Sequence, residues 1–173
     1  MRITVVGSGG WGTALALVLE ENGHDVTLWS HRPEKAEELK RTRENPMLKG
    51  VRLPESLHLT SDLNAAGESD VVVMVTPSYA VRETAAKLRG IVKPGTVIVS
   101  ASKGIERGSS LRLSQVIDQE LGGSCPVVVL LKKAREYHAD GIEARNSAIS
   151  SLFQSNRHVI REAGTTDSAL QPL

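Results

Sequence analysis

Three glycines near the start of the chain, in Gly7-Ser8-Gly9-Gly10-Trp11-Gly12, have G-x-G-x-x-G spacing, that of a turn which receives a dinucleotide pyrophosphate. Each glycine has its own task there. Gly7 makes the tight turn, Gly9 lets the phosphates approach bare backbone, and Gly12 lets the next helix pack close to the strand. The amides of the helix's first turn and the positive end of its dipole face the anion. The spacing alone is a weak signal, but its context is a strand, a turn, a helix and a second strand. Residues 3–6 are an apolar run and residues 13–22 a helical stretch, and Asp25-Val26-Thr27-Leu28-Trp29 follows Asn22-Gly23-His24. A plain strand–helix corner needs one such glycine rather than three.

Three further groups stand where they could act. Ser30-His31-Arg32 follows the second strand. An NAD-specific site usually places a carboxylate on the ribose 2′-OH about twenty residues beyond the glycines, and none stands here. The planar donors of Arg32 could pair with a 2′-phosphate, and His31 could line the adenosine. This favours NADP over NAD, the competing reading being that Arg32 is a solvated loop charge. Thr76-Pro77-Ser78 closes the apolar run 70–75, and Ser102-Lys103-Gly104-Ile105-Glu106 closes the run 96–101. The carboxyl ends of parallel strands border the ligand crevice, so Thr76 to Ser78, Pro77 among them, should border the nicotinamide or ribose. Lys103 could hold an anionic substrate group or a carbonyl oxygen. Helix-start chemistry at Pro77-Ser78 and an ordinary surface lysine are the alternatives. His24 reads as a turn residue.

The elements that must position these groups alternate along the chain. A charged helix over 34–43 follows Pro33 and ends at Asn45-Pro46. An irregular stretch, 47–54, leads to a short strand at 57–60 and a short helix capped by Ser61-Asp62. Residues 70–75 are apolar without alternation, the pattern of a strand buried on both faces. A helix over 79–89, a strand over 96–101, a helix from Ser109-Ser110 to 121 and a strand over 126–131 complete the series. Repeated strand–helix alternation predicts an α/β fold with an open, mostly parallel, doubly wound sheet of Rossmann-like type.

Composition narrows the class. The chain has 173 residues, 40% of them apolar but only 3% aromatic, so its core must be aliphatic. A net charge of +1 and a pI near 7.9 supply no general field for nucleic acid or a membrane surface. No run is long and apolar enough to insert in a bilayer. Cys125 is the only cysteine, which suits a reducing compartment. Met1-Arg2 leads straight into the first strand, leaving no room for a signal peptide, so the expected location is the cytoplasm. The five histidines have no metal-ligand spacing. No Ser/His/Asp constellation is legible, and no catalytic residue is assigned.

Together the motifs resemble NAD(P)-dependent glycerol-3-phosphate dehydrogenase of the bacterial type. The stretches that carry the likeness are Gly7-Ser8-Gly9-Gly10-Trp11-Gly12-Thr13-Ala14-Leu15-Ala16, Asn22-Gly23-His24-Asp25-Val26-Thr27-Leu28-Trp29, Asn45-Pro46 with Gly50-Val51-Arg52-Leu53-Pro54, Val75-Thr76-Pro77-Ser78, and Ser102-Lys103-Gly104-Ile105-Glu106. The resemblance implies reversible hydride transfer between NAD(P)H and dihydroxyacetone phosphate, a small phosphate substrate. It implies that Gly10 and Trp11 touch the pyrophosphate region, that His31 and Arg32 lie on the adenosine ribose side, and that Lys103 meets both cofactor and substrate. Gly10 departs from the serine usual in the family.

The likeness covers residues 1–131, read as a dinucleotide-binding domain. Where the family continues with a Ser-Gly-Pro-Ser stretch, this chain has Leu131-Lys132-Lys133-Ala134-Arg135-Glu136. The family's later Ala-Leu-Lys-Asn catalytic lysine has no counterpart, so no complete second domain is expected. Residues 132–160 read as a helical extension and 161–173 as a loose tail. The chain alone is expected to bind cofactor with little or no turnover, and an unfinished cleft makes a homo-oligomer conceivable. A dehydrogenase acting on another hydroxy acid and a non-catalytic dinucleotide-sensing module are the alternatives.

Overall fold

In the computed structural model, whose described residues are 1–130, strands and helices alternate. They are β1 (Arg2–Val6), α1 (Gly10–Glu21), β2 (Asp25–Trp29), α2 (Pro33–Thr42), β3 (His58–Thr60), β4 (Val71–Met74), α3 (Val81–Leu88), β5 (Val97–Ser100), α4 (Leu113–Leu121) and β6 (Val127–Val129). The six strands form one sheet in the order β3-β2-β1-β4-β5-β6. Every pairing is parallel, so the expected doubly wound, Rossmann-like architecture holds over these residues. The expected helical extension at 132–160 and the tail at 161–173 lie outside the described residues.

The strand order reverses beside β1. β2 lies on one side of it, in register Val6↔Trp29, and β4 on the other, Val6↔Met74. β4 is buried along its whole length, with Val72, Val73 and Met74 at 0% exposure. Its lack of alternation follows from that position, since helices cover both faces of a parallel sheet. On one face Val6, Val72, Met74 and Ile98 pack with Val81, Ala85 and Leu88 of α3 and with Val116, Ile117 and Leu121 of α4. On α1, Leu15, Ala16, Val18 and Leu19 are at most 1% exposed. No helix among the described residues is long and apolar enough to cross a membrane.

Two helix starts differ from the sequence expectation. α4 begins at Leu113 rather than at Ser109-Ser110. Ser109 Oγ donates instead to Glu106 Oε2 at 2.6 Å and accepts from Leu111 N at 3.3 Å, and Ser110 has a left-handed backbone with φ 59°. Those bonds hold the segment as a loop and leave the hydroxyls nothing to cap. The helix expected from residue 79 starts as a single 3-10 turn, Ser78–Ala80, and becomes α-helical at Val81. The helix after Asp62 is also 3-10, Leu63–Glu68, and Asp62 caps it by accepting from Asn64 N at 3.0 Å.

Candidate cofactor site

Parallel pairing brings the carboxyl ends of β2, β1, β4 and β5 side by side. All the residues singled out in the sequence follow those four strands. Gly7, Gly9, Gly10, Trp11 and Gly12 follow β1, His31 and Arg32 follow β2, Pro77 follows β4, and Lys103 follows β5. The crevice at such a reversal in strand order is where ligands meet an open α/β sheet.

The glycine turn divides its labour differently from the expectation in one respect. Gly7 has φ 130°, and a Cβ there would stand 2.7 Å from Val75 O. A Cβ on Gly12 would stand 1.9 Å from Gly7 O, so only glycine lets α1 approach its own strand this closely. Gly10 also serves packing, because a Cβ would come within 2.8 Å of Met47 O. Glycine here thus allows a close approach of the 45–48 turn. Gly9 alone faces open space, with nothing within 4 Å of a Cβ. It caps α1 without any side-chain hydrogen bond, and the helix has no acidic residue in its first turn. A helix start without a side-chain cap, with open space beside Gly9, suits a phosphate, and its chemistry fits a dinucleotide.

The turn is clamped from below. Ser8 is buried, and its Oγ donates to Ser30 Oγ at 2.9 Å. Ser8 O accepts from Lys35 Nζ at 2.6 Å and from Asn45 Nδ2 at 3.1 Å. Asn45 is 1% exposed; it also donates to Thr13 Oγ1 at 2.7 Å and accepts from Met47 N at 3.1 Å. Lys35 lies in the first turn of α2, and Arg32 is the residue that caps the helix start. Burial, and then the charge of Arg32, holds its ammonium below the ordinary lysine range. Arg32 and Lys35 thus place two positive charges at the start of α2.

The remaining candidate residues differ in exposure. His31 is exposed, its ring 5.9 Å from that of Trp29 at a 59° tilt. Trp11 is half-buried, while Arg32, Pro77 and Lys103 are exposed. Thr76 is buried next to Gly7, and its Oγ1 has no hydrogen-bond partner among the described residues.

Sequence reasoning missed Lys35 and used Asn45 only as a helix breaker and as part of the family likeness. The spacing of Arg32 and Lys35, one helical turn apart, was the available signal for the former. Nothing local marks the clamping role of Asn45, because the two acceptors of its Nδ2 lie 32 and 37 positions away.

A sequence profile described as the NAD-dependent glycerol-3-phosphate dehydrogenase N-terminus matches residues 2–136. The chain belongs to this family. It is 50% identical over 131 residues to a glycerol-3-phosphate dehydrogenase [NAD(P)+] of Prosthecochloris aestuarii, covering 75% of this chain and 40% of that one. A homologue of the same name from Geobacillus thermodenitrificans is 40% identical over 157 residues, or 90% of this chain and 45% of the relative. The solved glycerol-3-phosphate dehydrogenase of Coxiella burnetii superimposes with a TM-score of 0.68 at 34% identity, covering 74% of this chain and 39% of that one. The chain thus spans less than half the length of these relatives.

Proposed function

We propose that the chain binds NADP or NAD across the carboxyl ends of β1, β2, β4 and β5 as the cofactor-binding part of a glycerol-3-phosphate dehydrogenase. The bound cofactor would supply hydride exchange with dihydroxyacetone phosphate, giving glycerol 3-phosphate. The observation that carries this reading is the open side of Gly9 above the uncapped start of α1. Gly7 and Gly12 shape the turn, Gly10 and Trp11 border the pyrophosphate, and the first-turn amides hold it. His31 lies on the adenosine side. Arg32 holds a 2′-phosphate, with Lys35 adding positive charge, and NADP is therefore the favoured form. Pro77 borders the nicotinamide end, and Lys103 meets both the cofactor and the phosphate substrate. A reducing, cytoplasmic setting fits a chain whose one cysteine is buried.

The test uses the quenching of tryptophan fluorescence, from Trp11 and Trp29, as NADPH or NADH is titrated into the whole chain. Gly9→Val should weaken NADPH by at least about tenfold, equivalent to about 1.4 kcal/mol. Parent-like affinity would overturn the reading of the glycine turn. Arg32→Asp should reduce the NADPH-over-NADH preference by about tenfold, the scale of a lost charge-assisted contact; an unchanged ratio removes the NADP assignment. Dihydroxyacetone phosphate should alter the NADPH signal with little oxidation of the cofactor. Robust turnover by this chain would show that its machinery is complete.

A further inference from the structure

Lys103 stands on a short bridge between two anchors. Ahead of it, Ser102 Oγ donates to Thr76 O at 2.7 Å, tying the bridge to the end of β4. Behind it, the Glu106 carboxylate accepts from Arg82 Nε and Nη2, each at 2.7 Å, and from Ser109 Oγ at 2.6 Å. Only Lys103, Gly104 and Ile105 lie between, all exposed. Gly104 has φ 109°, in the region open to glycine. Three exposed residues around a glycine have little packing to fix them, and ordering each backbone costs on the order of 1–2 kcal/mol. Their geometry must therefore come from the two ends.

The Glu106 end is built to supply it. Arg82 lies in the first turn of α3, and its Nη1 donates to Glu120 Oε1 of α4 at 2.5 Å. Its guanidinium is thus held by a second carboxylate on another helix and acts as a fixed post. Glu106 belongs to neither helix, so tying α3 to α4 does not require it; Glu120 already does that. The loop beyond also closes on Glu106. Glu106 N donates to Leu111 O at 2.9 Å, Ser110 N donates to Glu106 O at 3.1 Å, and Ile105 bridges Arg112. Moving Glu106 would therefore move the whole stretch that follows Lys103.

We propose that Arg82 and Glu106 are positioning residues whose two-pronged pair fixes the 103–105 bridge and so presents the Lys103 ammonium to the anionic ligand of the crevice. This rests on the reading of Lys103 given under the proposed function. A ligating group held in place before binding does not pay its ordering cost at that moment, and a group on a loose loop does.

A double-mutant cycle on the whole chain tests it, with NADPH affinity read from Trp fluorescence and global stability from urea midpoints. Lys103→Ala should weaken NADPH by about tenfold, the scale of a hydrogen bond to a charged group. Glu106→Gln should weaken it severalfold, and the double variant should bind no more weakly than Lys103→Ala alone. Arg82→Lys keeps the charge but loses the fork, and should reproduce Glu106→Gln; it serves as the test if Glu106→Gln does not fold. Loss of stability alone would lower the urea midpoint without this non-additivity. Parent-like binding by both Glu106→Gln and Arg82→Lys, with Lys103→Ala weakened, overturns the positioning role and leaves the Lys103 reading intact. Additive effects overturn it too, since Glu106 would then act by another route. Parent-like binding by Lys103→Ala defeats the reading of Lys103, and the positioning role with it.

Discussion

Gly9 and Gly12 sit three residues apart and should answer the same substitution in opposite ways. An alanine at 12 drives its Cβ to 1.9 Å from Gly7 O, a backbone atom that cannot swing aside. The cost should be about 1–3 kcal/mol, the scale of an overpacked site, and urea denaturation should show a lowered midpoint with an unchanged slope. An alanine at 9 meets no protein atom within 4 Å, so its stability should stay within about 0.5 kcal/mol of the parent. If Gly12→Ala is as stable as the parent, the close helix–strand approach is wrong. Gly10→Ser, which restores the family's usual residue, is the instructive middle case. The family resemblance implies that it regains a phosphate contact. The Cβ distance of 2.8 Å to Met47 O means that the 45–48 turn must first give way, a relation between distant residues that spacing cannot reveal.

At the level of elements, the excursion between α2 and β3 does more than connect. Arg43 ends α2 in a left-handed conformation and donates to Pro54 O at 3.1 Å and Leu57 O at 2.9 Å. That folds the excursion back and delivers Asn45 beneath the glycine turn. Asn45→Ala takes the buried amide donor from Thr13 Oγ1 and leaves Ser8 O with Lys35 Nζ alone, and should cost about 1–3 kcal/mol, seen as a lowered thermal midpoint. An unchanged midpoint would mean that the clamp bears no weight. The strands were legible in the sequence because buried parallel strands are runs of β-branched residues, as at Val71-Val72-Val73. The glycine turn was legible because its spacing encodes local backbone demands. The clamp and the Arg82–Glu106 pair were not, because their partners are brought together by strand order alone. The start of α4 was misread for a related reason. Ser109 has the chemistry of a cap, but the carboxylate of Glu106 competes for its hydroxyl.

Across the whole molecule, ion pairs set the response to acid. Hydrogen bonding to Arg82 and then to Ser109 pulls the Glu106 carboxyl down to about 2. Lys93 holds Glu68, and Lys87 holds Glu83, below the ordinary carboxylate range. A depressed carboxyl contributes stability that is present above its unfolded value and is lost as pH falls through its folded value. Stability should therefore be steady near neutrality and fall from the ordinary carboxylate range down toward pH 2. Glu106→Gln should flatten that fall in a pH series of urea midpoints, and an unaltered slope would count against the pair. The sheet order has a further consequence for a chain leaving the ribosome. β1 is made first, yet Ile3 lies opposite Val71 on one side and Val26 on the other. Until residues 71–74 emerge, the central strand has one bare edge, open to other chains. Closure of that distant pairing, slow because it spans so much sequence, should govern how quickly the nascent protein leaves its vulnerable period.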